Sequence, residues 1–247
     1  MQFTADLHMH TKYSDGRGTM EQMARAGFKK GLGKIAITDH GPANIGVGVK
    51  SAEQLLEIKR EAARISQEVG IRVLVGVEAD IIGVDGEIDV PPSIYQQLDL
   101  LLVGLHPHVF PHDWGDGYNF ILPNQIYRAS SLMRDKVIGV NTQAVVAALE
   151  KHPVDILTHP GLLMPVDYLA VAKACTRTGT YFEINTGHLH EHFMTPAIIK
   201  RVCDQGVDFI VNSDSHYPET VGELEAGWAM LEQAGVTAAR VANVRMN

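Results

Sequence analysis

Short apolar runs of strand length alternate with amphipathic stretches of helix length along the whole chain, and this alternation constrains the fold most. Seven apolar runs read as strands, over residues 2–8, 34–38, 71–77, 98–104, 154–158, 180–185 and 207–213. Helical patterns fall near 20–28, 52–69, 125–133, 141–151, 166–178, 196–205 and 219–234. Thr19 is expected to cap the first of these, with Met20, Met23, Ala24 and Phe28 on its apolar side, and Ser51 the second. Strands that alternate with helices pair in parallel through right-handed crossovers. Seven such units, each strand with its own helix, predict an α/β barrel rather than an open sheet, and with no visible linker residues 1–247 read as one domain.

In such barrels the working residues sit at the C-terminal ends of the strands. Here His8 and His10 close the first strand, His40 follows the second, and Glu78, His106 and His159 follow the third, fourth and fifth. Asp214 and His216 follow the seventh. Residues two apart on a strand face the same side, so His8 with His10, and Asp214 with His216, form two pairs able to approach one ion. The sixth strand ends in Asn185, placed to line the barrel mouth. Neutral imidazole is a common ligand for zinc, iron, nickel and copper, so paired histidines at this spacing suit a divalent site. The two cysteines, Cys175 and Cys203, fall in helical stretches and indicate neither a disulfide framework nor a thiolate site.

The separated motifs Asp6-Leu7-His8-Met9-His10-Thr11, Ser14-Asp15-Gly16, Thr38-Asp39-His40-Gly41, Gly76-Val77-Glu78, Gly104-Leu105-His106, Thr158-His159-Pro160-Gly161 and Ser213-Asp214-Ser215-His216 span nearly the whole chain. On these motifs the sequence resembles the PHP (polymerase and histidinol phosphatase) family, and its small stand-alone phosphoesterase branch most of all. The resemblance implies a distorted seven-stranded (β/α)7 TIM-like barrel holding up to three divalent ions, zinc first, with manganese or iron as alternatives. By matching position, His8, His10, Glu78 and Asp214 would hold one ion, Asp15, His40 and His216 a second, and Glu78, His106 and His159 a third.

Three dications against the carboxylates of Glu78, Asp15 and Asp214 leave a positive pocket in a chain whose formal net charge is -8. A small anionic phosphorylated substrate fits that pocket. The expected reaction is phosphomonoester hydrolysis by a metal-activated hydroxide, with Glu78, His40 and Asp214 as the catalytic residues. Histidinol phosphate is a narrower form of the same reading. The alternatives are a phosphodiesterase or 3′-5′ exonuclease and a non-catalytic metal-binding module. An acidic chain with no basic tail argues against nucleic acid, and the absence of a long apolar span predicts a cytoplasmic protein away from membranes. Asn185, His108 and Lys12 are candidates for substrate contact, with Arg17, Arg128 and Arg134 as more distant possibilities. Asp6 and Asp39 are expected to accept hydrogen bonds from metal-bound histidines. The run His188, His190, His192 reads as a polar loop, with a lid or a further metal ligand as the alternative. The long segment 107–123 has no period and is read as functional, and His152, at the opposite end of the barrel, as structural.

Overall fold

Side chains along each barrel strand alternate between two apolar environments. Ile35, Ile37, Val73, Val75, Val77, Leu101, Val103, Phe182, Ile184, Phe209 and Val211 belong to the large core under the helices. Ala5, Leu7, Ala36, Leu74, Leu102, Ile156 and Ile210 form a separate cluster inside the barrel. Above that apolar floor the inward positions become Glu78, Glu183 and Asn212, all buried. The change from Leu and Ile to acids and amides along one inner face is what turns a packed barrel into a site.

The computed structural model describes residues 1–127, 131–191 and 193–246. Its strands are β1 (Gln2–Phe3), β2 (Ala5–Asp6), β3 (Lys34–Ile37), β4 (Arg72–Asp80), β5 (Leu100–Gly104), β6 (Ile156–Leu157), β7 (Tyr181–Asn185), β8 (Phe209–Asn212) and β9 (Val244–Arg245). Strands β2 to β8 form a seven-stranded parallel sheet in sequence order, while β1 pairs antiparallel with β9 outside it. Helices α1 (Met20–Lys29), α2 (Gln54–Val69), α3 (Pro92–Tyr95), α4 (Trp114–Asp116), α5 (Leu122–Ile126), α6 (Ser131–Lys151), α7 (Tyr168–Thr178), α8 (Pro196–Cys203) and α9 (Glu225–Gln233) lie between and after the strands. This is the distorted seven-stranded barrel that the resemblance implied.

The distortion has a visible cause at the seam between β8 and β2, where side chains stand in for much of a strand ladder. Asn212 Oδ1 accepts from the Leu7 amide at 3.0 Å, and Asp6 Oδ1 accepts from the Ser213 amide at 3.1 Å. Lower down, Asn243 Nδ2 donates to the carbonyls of Ala5 and Val211, and its Oδ1 accepts from the Val211 amide. Backbone pairing resumes only past the strand ends, where His10 donates to the Ser215 carbonyl at 2.9 Å.

Several local expectations differ from the structure. The strand expected over 2–8 breaks at Thr4, whose amide and hydroxyl both donate to the Asn243 carbonyl, so Gln2–Phe3 leaves the barrel. Phe28 is exposed, and the buried side of α1 is completed by Gly27. A Cβ at Gly27 would stand 2.6 Å from the Ile35 side chain, so the bare backbone is what lets α1 sit close on the barrel. Ser51 does not cap α2, which begins at Gln54 with no side-chain cap. The helix expected from 219 begins at Glu225, after a 3-10 turn at Pro218–Thr220. Residues 131–151, expected to hold parts of two helices, form the single helix α6.

Candidate metal centre

Strand β4 is nine residues long and carries Glu78 deep into the barrel mouth, where the Gly41 amide donates to the Glu78 carbonyl and His40 pairs alongside. Around this carboxylate the candidate ligands converge. His8 Nε2 and His10 Nε2 are 3.2 Å apart, and each lies within 3.5 Å of both Glu78 Oε2 and Asp214 Oδ1. His40 Nδ1 stands 3.0 Å from Glu78 Oε2, His159 Nε2 2.8 Å from Oε1, and His106 Nε2 3.6 Å from Oε1. Toward the outside, His216 Nε2 lies 3.2 Å from Asp15 Oδ2, and His40 Nε2 3.8 Å from the same oxygen.

All nine candidates thus meet at one end of the barrel. Four groups have ligand atoms mutually within 4.8 Å: His10, Asp15, His40 and His216; His8, His159 and Asp214; His8, His10 and Glu78; and His40, Glu78 and His106. These groups share members, and they place His10 beside the second set and His159 beside the first as well as the third. The donors suit a borderline divalent cation, and their state fits one physically. Both oxygens of Glu78, Asp214 Oδ1 and His10 Nδ1 are buried with no hydrogen-bond partner. A buried carboxylate with no donor is costly unless a cation is its partner.

The backbone is also shaped for the site. His159 and Asp214 adopt left-handed conformations at φ 25° and 51°, which non-glycine residues rarely do. Gly104, just before His106, must lack a side chain, because a Cβ there would lie 2.6 Å from Thr158 Oγ1 and 3.1 Å from Glu78 Oε1.

Two acids missed in the sequence reading hold the histidines in place. Glu183 is fully buried, and its Oε1 accepts from His8 Nδ1 at 2.8 Å and Asn212 Nδ2 at 2.9 Å. Its Oε2 accepts from the His159 amide at 2.7 Å and Asn185 Nδ2 at 3.1 Å. Asp80 Oδ1 accepts from His106 Nδ1 at 2.5 Å. Such acceptors fix the tautomer and aim of a ligating imidazole. Asp6 and Asp39, expected in this role, accept from backbone amides and hydroxyls instead. Asp6 accepts from Ser213 and the Gly222 amide, and Asp39 from Thr11 and Ser14 in the loop that carries Asp15. The spacing that found His8 and His10 also relates Glu78 to Asp80 and Glu183 to Asn185.

A family model described as the PHP domain matches residues 6–216. The chain belongs to the PHP domain family. This PHP domain is 31% identical to a "probable phosphatase" of Thermoanaerobacter sp. (strain X514), over 98% of this chain and 91% of the other. It is 33% identical to a "probable phosphatase" of Shewanella sediminis (strain HAW-EB3), over 98% and 90% of the two chains. The fold is similar to the crystal structure of histidinol phosphate phosphatase from Lactococcus lactis complexed with zinc, L-histidinol and phosphate, at 16% identity, TM-score 0.67 and 95% and 94% coverage. Family, relatives and ligand cluster together make the PHP domain a hydrolase, a metal-dependent phosphatase or phosphoesterase.

Above the cluster of this PHP domain opens a pocket of about 830 Å³, with Leu162, Leu163, His188, Tyr217, Glu223 and Glu225 among its outer walls. Of the three substrate candidates, none lines it. Asn185 is buried beneath the site, with Nδ2 donating to Asp214 Oδ2 at 3.0 Å, while Lys12 and His108 are exposed elsewhere. His188 does line the pocket, with Nε2 3.3 Å from Asp214 Oδ2, whereas His190 is exposed beside Glu191. Arg128 and His192 lie outside the described residues. His152 is buried far from the mouth, bonded to the Gly86 carbonyl and to Tyr95. Among the described residues no helix is long and apolar enough to cross a membrane.

Burial alone would lower the pKa of His40 and His216, but Glu78 beside the first and Asp15 bonded to the second raise both to about 9. Burial would likewise raise Glu78, yet the surrounding His8, His106, His40 and His159 hold it well below the usual carboxylate range. In the demetallated PHP domain, protons on His40 and His216 therefore take the place of cations. The stabilisation from a raised histidine pKa is complete below its ordinary value near 6.5 and fades as pH rises through about 9. Chelator-stripped protein is thus expected to lose thermal stability between these values, while metal affinity rises and each binding event at neutral pH releases protons. Calorimetry in buffers of different ionisation heat measures that release. Binding without proton release would refute this account.

Proposed function

We propose that this PHP domain hydrolyses small-molecule phosphomonoesters at a site holding up to three divalent ions, zinc first, with manganese or iron as alternatives. The observation that carries the reading is a pocket of about 830 Å³ with a buried histidine and carboxylate cluster at its base and little positive charge on its walls. That volume suits a small molecule. Apart from histidines, Lys30 is the one basic residue among the described residues that lines the pocket, and it stands 3.9 Å from Glu223. A groove for a nucleic-acid backbone needs several such cations, which favours a monoester over a polymeric diester.

In this proposal the nine convergent side chains bind the ions, and Glu78, His40 and Asp214 are the catalytic group. Divalent ions so held supply a water of lowered pKa and offset charge on the phosphoryl group. Glu183 and Asp80 fix the aim of His8, His159 and His106, and Leu162 and Leu163 make part of the pocket wall apolar. Glu223 and Glu225 on the rim favour a leaving group that carries positive charge, which supports an amino-alcohol phosphate such as histidinol phosphate as a narrower reading. Residues 1–247 are read as one such domain.

Purified protein of known metal content, assayed in parallel on p-nitrophenyl phosphate and bis-p-nitrophenyl phosphate, tests the reading. The expected result is a monoesterase rate at least about tenfold above the diesterase rate, abolished by chelation and restored by added metal. A diester preference would move the assignment to nuclease-type chemistry. A metal-loaded protein that turns over neither ester would reject the reaction class.

A further inference from the structure

His188 is the pocket residue whose role the metal centre leaves open. It sits in the turn after β7, where a Cβ on Gly187 would stand 2.7 Å from the Ser213 carbonyl, so the backbone presses against the residue that follows β8. The His188 amide donates to Asn185 Oδ1 at 3.2 Å, and its ring Nε2 lies 3.3 Å from Asp214 Oδ2. That oxygen also accepts from Asn185 Nδ2 at 3.0 Å. A carboxylate oxygen only accepts, so Nε2 carries the proton, and the neutral ring offers Nδ1 as an acceptor. Nδ1 has no hydrogen-bond partner among the described residues, and the side chain is 35% exposed on the pocket wall. The hydroxyls on the same wall are committed to the protein. Thr186 Oγ1 donates to the Glu223 carbonyl at 2.7 Å, Ser213 Oγ to Asp6 Oδ2 at 2.5 Å and Thr220 Oγ1 to the Tyr217 carbonyl at 3.1 Å. His188 thus touches the ligand cluster with one nitrogen and keeps the other for a substrate.

We infer that His188 accepts a hydrogen bond from the leaving group of the substrate, and so selects phosphomonoesters whose alcohol carries a second donor, a hydroxyl or an ammonium. The inference rests on the monoesterase reading above and narrows its substrate class. A phosphoryl group bound at the ligand cluster turns its ester oxygen, and the alcohol behind it, toward the outer walls. Among the described residues there, acceptors outnumber cations: His188, Glu223 and Glu225 stand against Lys30. An alcohol with a donor at that place pairs with Nδ1. An alkyl chain there strips water from Nδ1 and returns nothing, which is how a site built for a hydrogen bond rejects an analogue that lacks it. Asp214 holds the ring and Asn185 the backbone before substrate arrives, so little freedom is lost on binding.

Metal-loaded full chain of known ion content, assayed on 2-hydroxyethyl, 2-aminoethyl and propyl phosphate, tests the proposal, since these esters differ only in the group that ends a short chain. Wild type is expected to favour both donor-bearing esters over propyl phosphate by at least about tenfold in kcat/KM. His188→Phe is expected to bring both ratios within about twofold of one, whatever the absolute rates. His188→Gln, whose amide can donate to Asp214 and accept from substrate, is expected to keep them above about threefold. A preference for the 2-aminoethyl ester alone that survives His188→Phe assigns the selection to Glu223 and Glu225 and overturns the inference. So does a fall of all three rates by one factor in His188→Phe, which makes His188 a support for Asp214 only. A wild type equally active on the three esters also overturns it and leaves the monoesterase reading standing. Inactivity on these esters and on p-nitrophenyl phosphate would remove that reading and this inference with it.

Discussion

Glu78→Gln is expected to lower kcat/KM by at least about a thousandfold, about 4 kcal/mol of barrier, and to reduce the number of metal ions bound. Glutamine keeps the shape of the side chain but removes the charge on which His8, His10, His40, His106 and His159 all converge at 3.6 Å or less. Neither oxygen of Glu78 has a hydrogen-bond donor, so no protein group replaces what a cation loses there. Metal analysis of the purified variant beside its kinetics separates loss of ions from loss of chemistry. A variant with the wild-type metal count and activity within tenfold would remove Glu78 from the centre of the site.

The second large effect is expected at a residue that touches neither the pocket nor an ion. Glu183→Ala strands three buried donors at once, His8 Nδ1, Asn212 Nδ2 and the His159 amide, while Asn185 Nδ2 keeps its bond to Asp214 Oδ2. Each unmet buried donor costs about 1–3 kcal/mol, and relaxation recovers part of the sum. A loss of about 3 kcal/mol, or a Tm lower by roughly 6–12 °C, is the expected result in metal-free protein. In loaded protein the expectation is a 10–100-fold weaker metal affinity, because His8 loses the acceptor that sets its tautomer and His159 the anchor of its strained backbone. Competition with a chelator of known affinity measures this. Unchanged affinity alongside a lowered Tm would make Glu183 a purely structural residue.

Glu183 shows where a reading by residue pattern stops. The sixth strand ends in Asn185 with no ligand after it, while the acid two positions earlier points inward on the same face. Asp80 was lost to a boundary, since β4 runs two residues beyond Glu78 and brings its side chain back to the barrel interior. Asp6 and Asp39 stand beside ligand motifs, yet side-chain direction sends them to the closing seam and to the Asp15 loop. The segment 107–123, read as having no period, contains α4, a π-helical turn and the start of α5, because short helical turns of different pitch follow one another there.

The sequence by itself determined the barrel and the residues at its mouth. Both follow from local rules, a period of two on strands and near 3.6 on helices, with ligands recurring at strand ends. Tertiary structure alone decided which acids hold the histidines, how Asn212, Asp6 and Asn243 close the seam, and which polar residues reach the pocket. Those outcomes depend on strands far apart in the chain meeting at one register, as when Glu183 meets His8 across 175 positions, and no local pattern encodes that meeting.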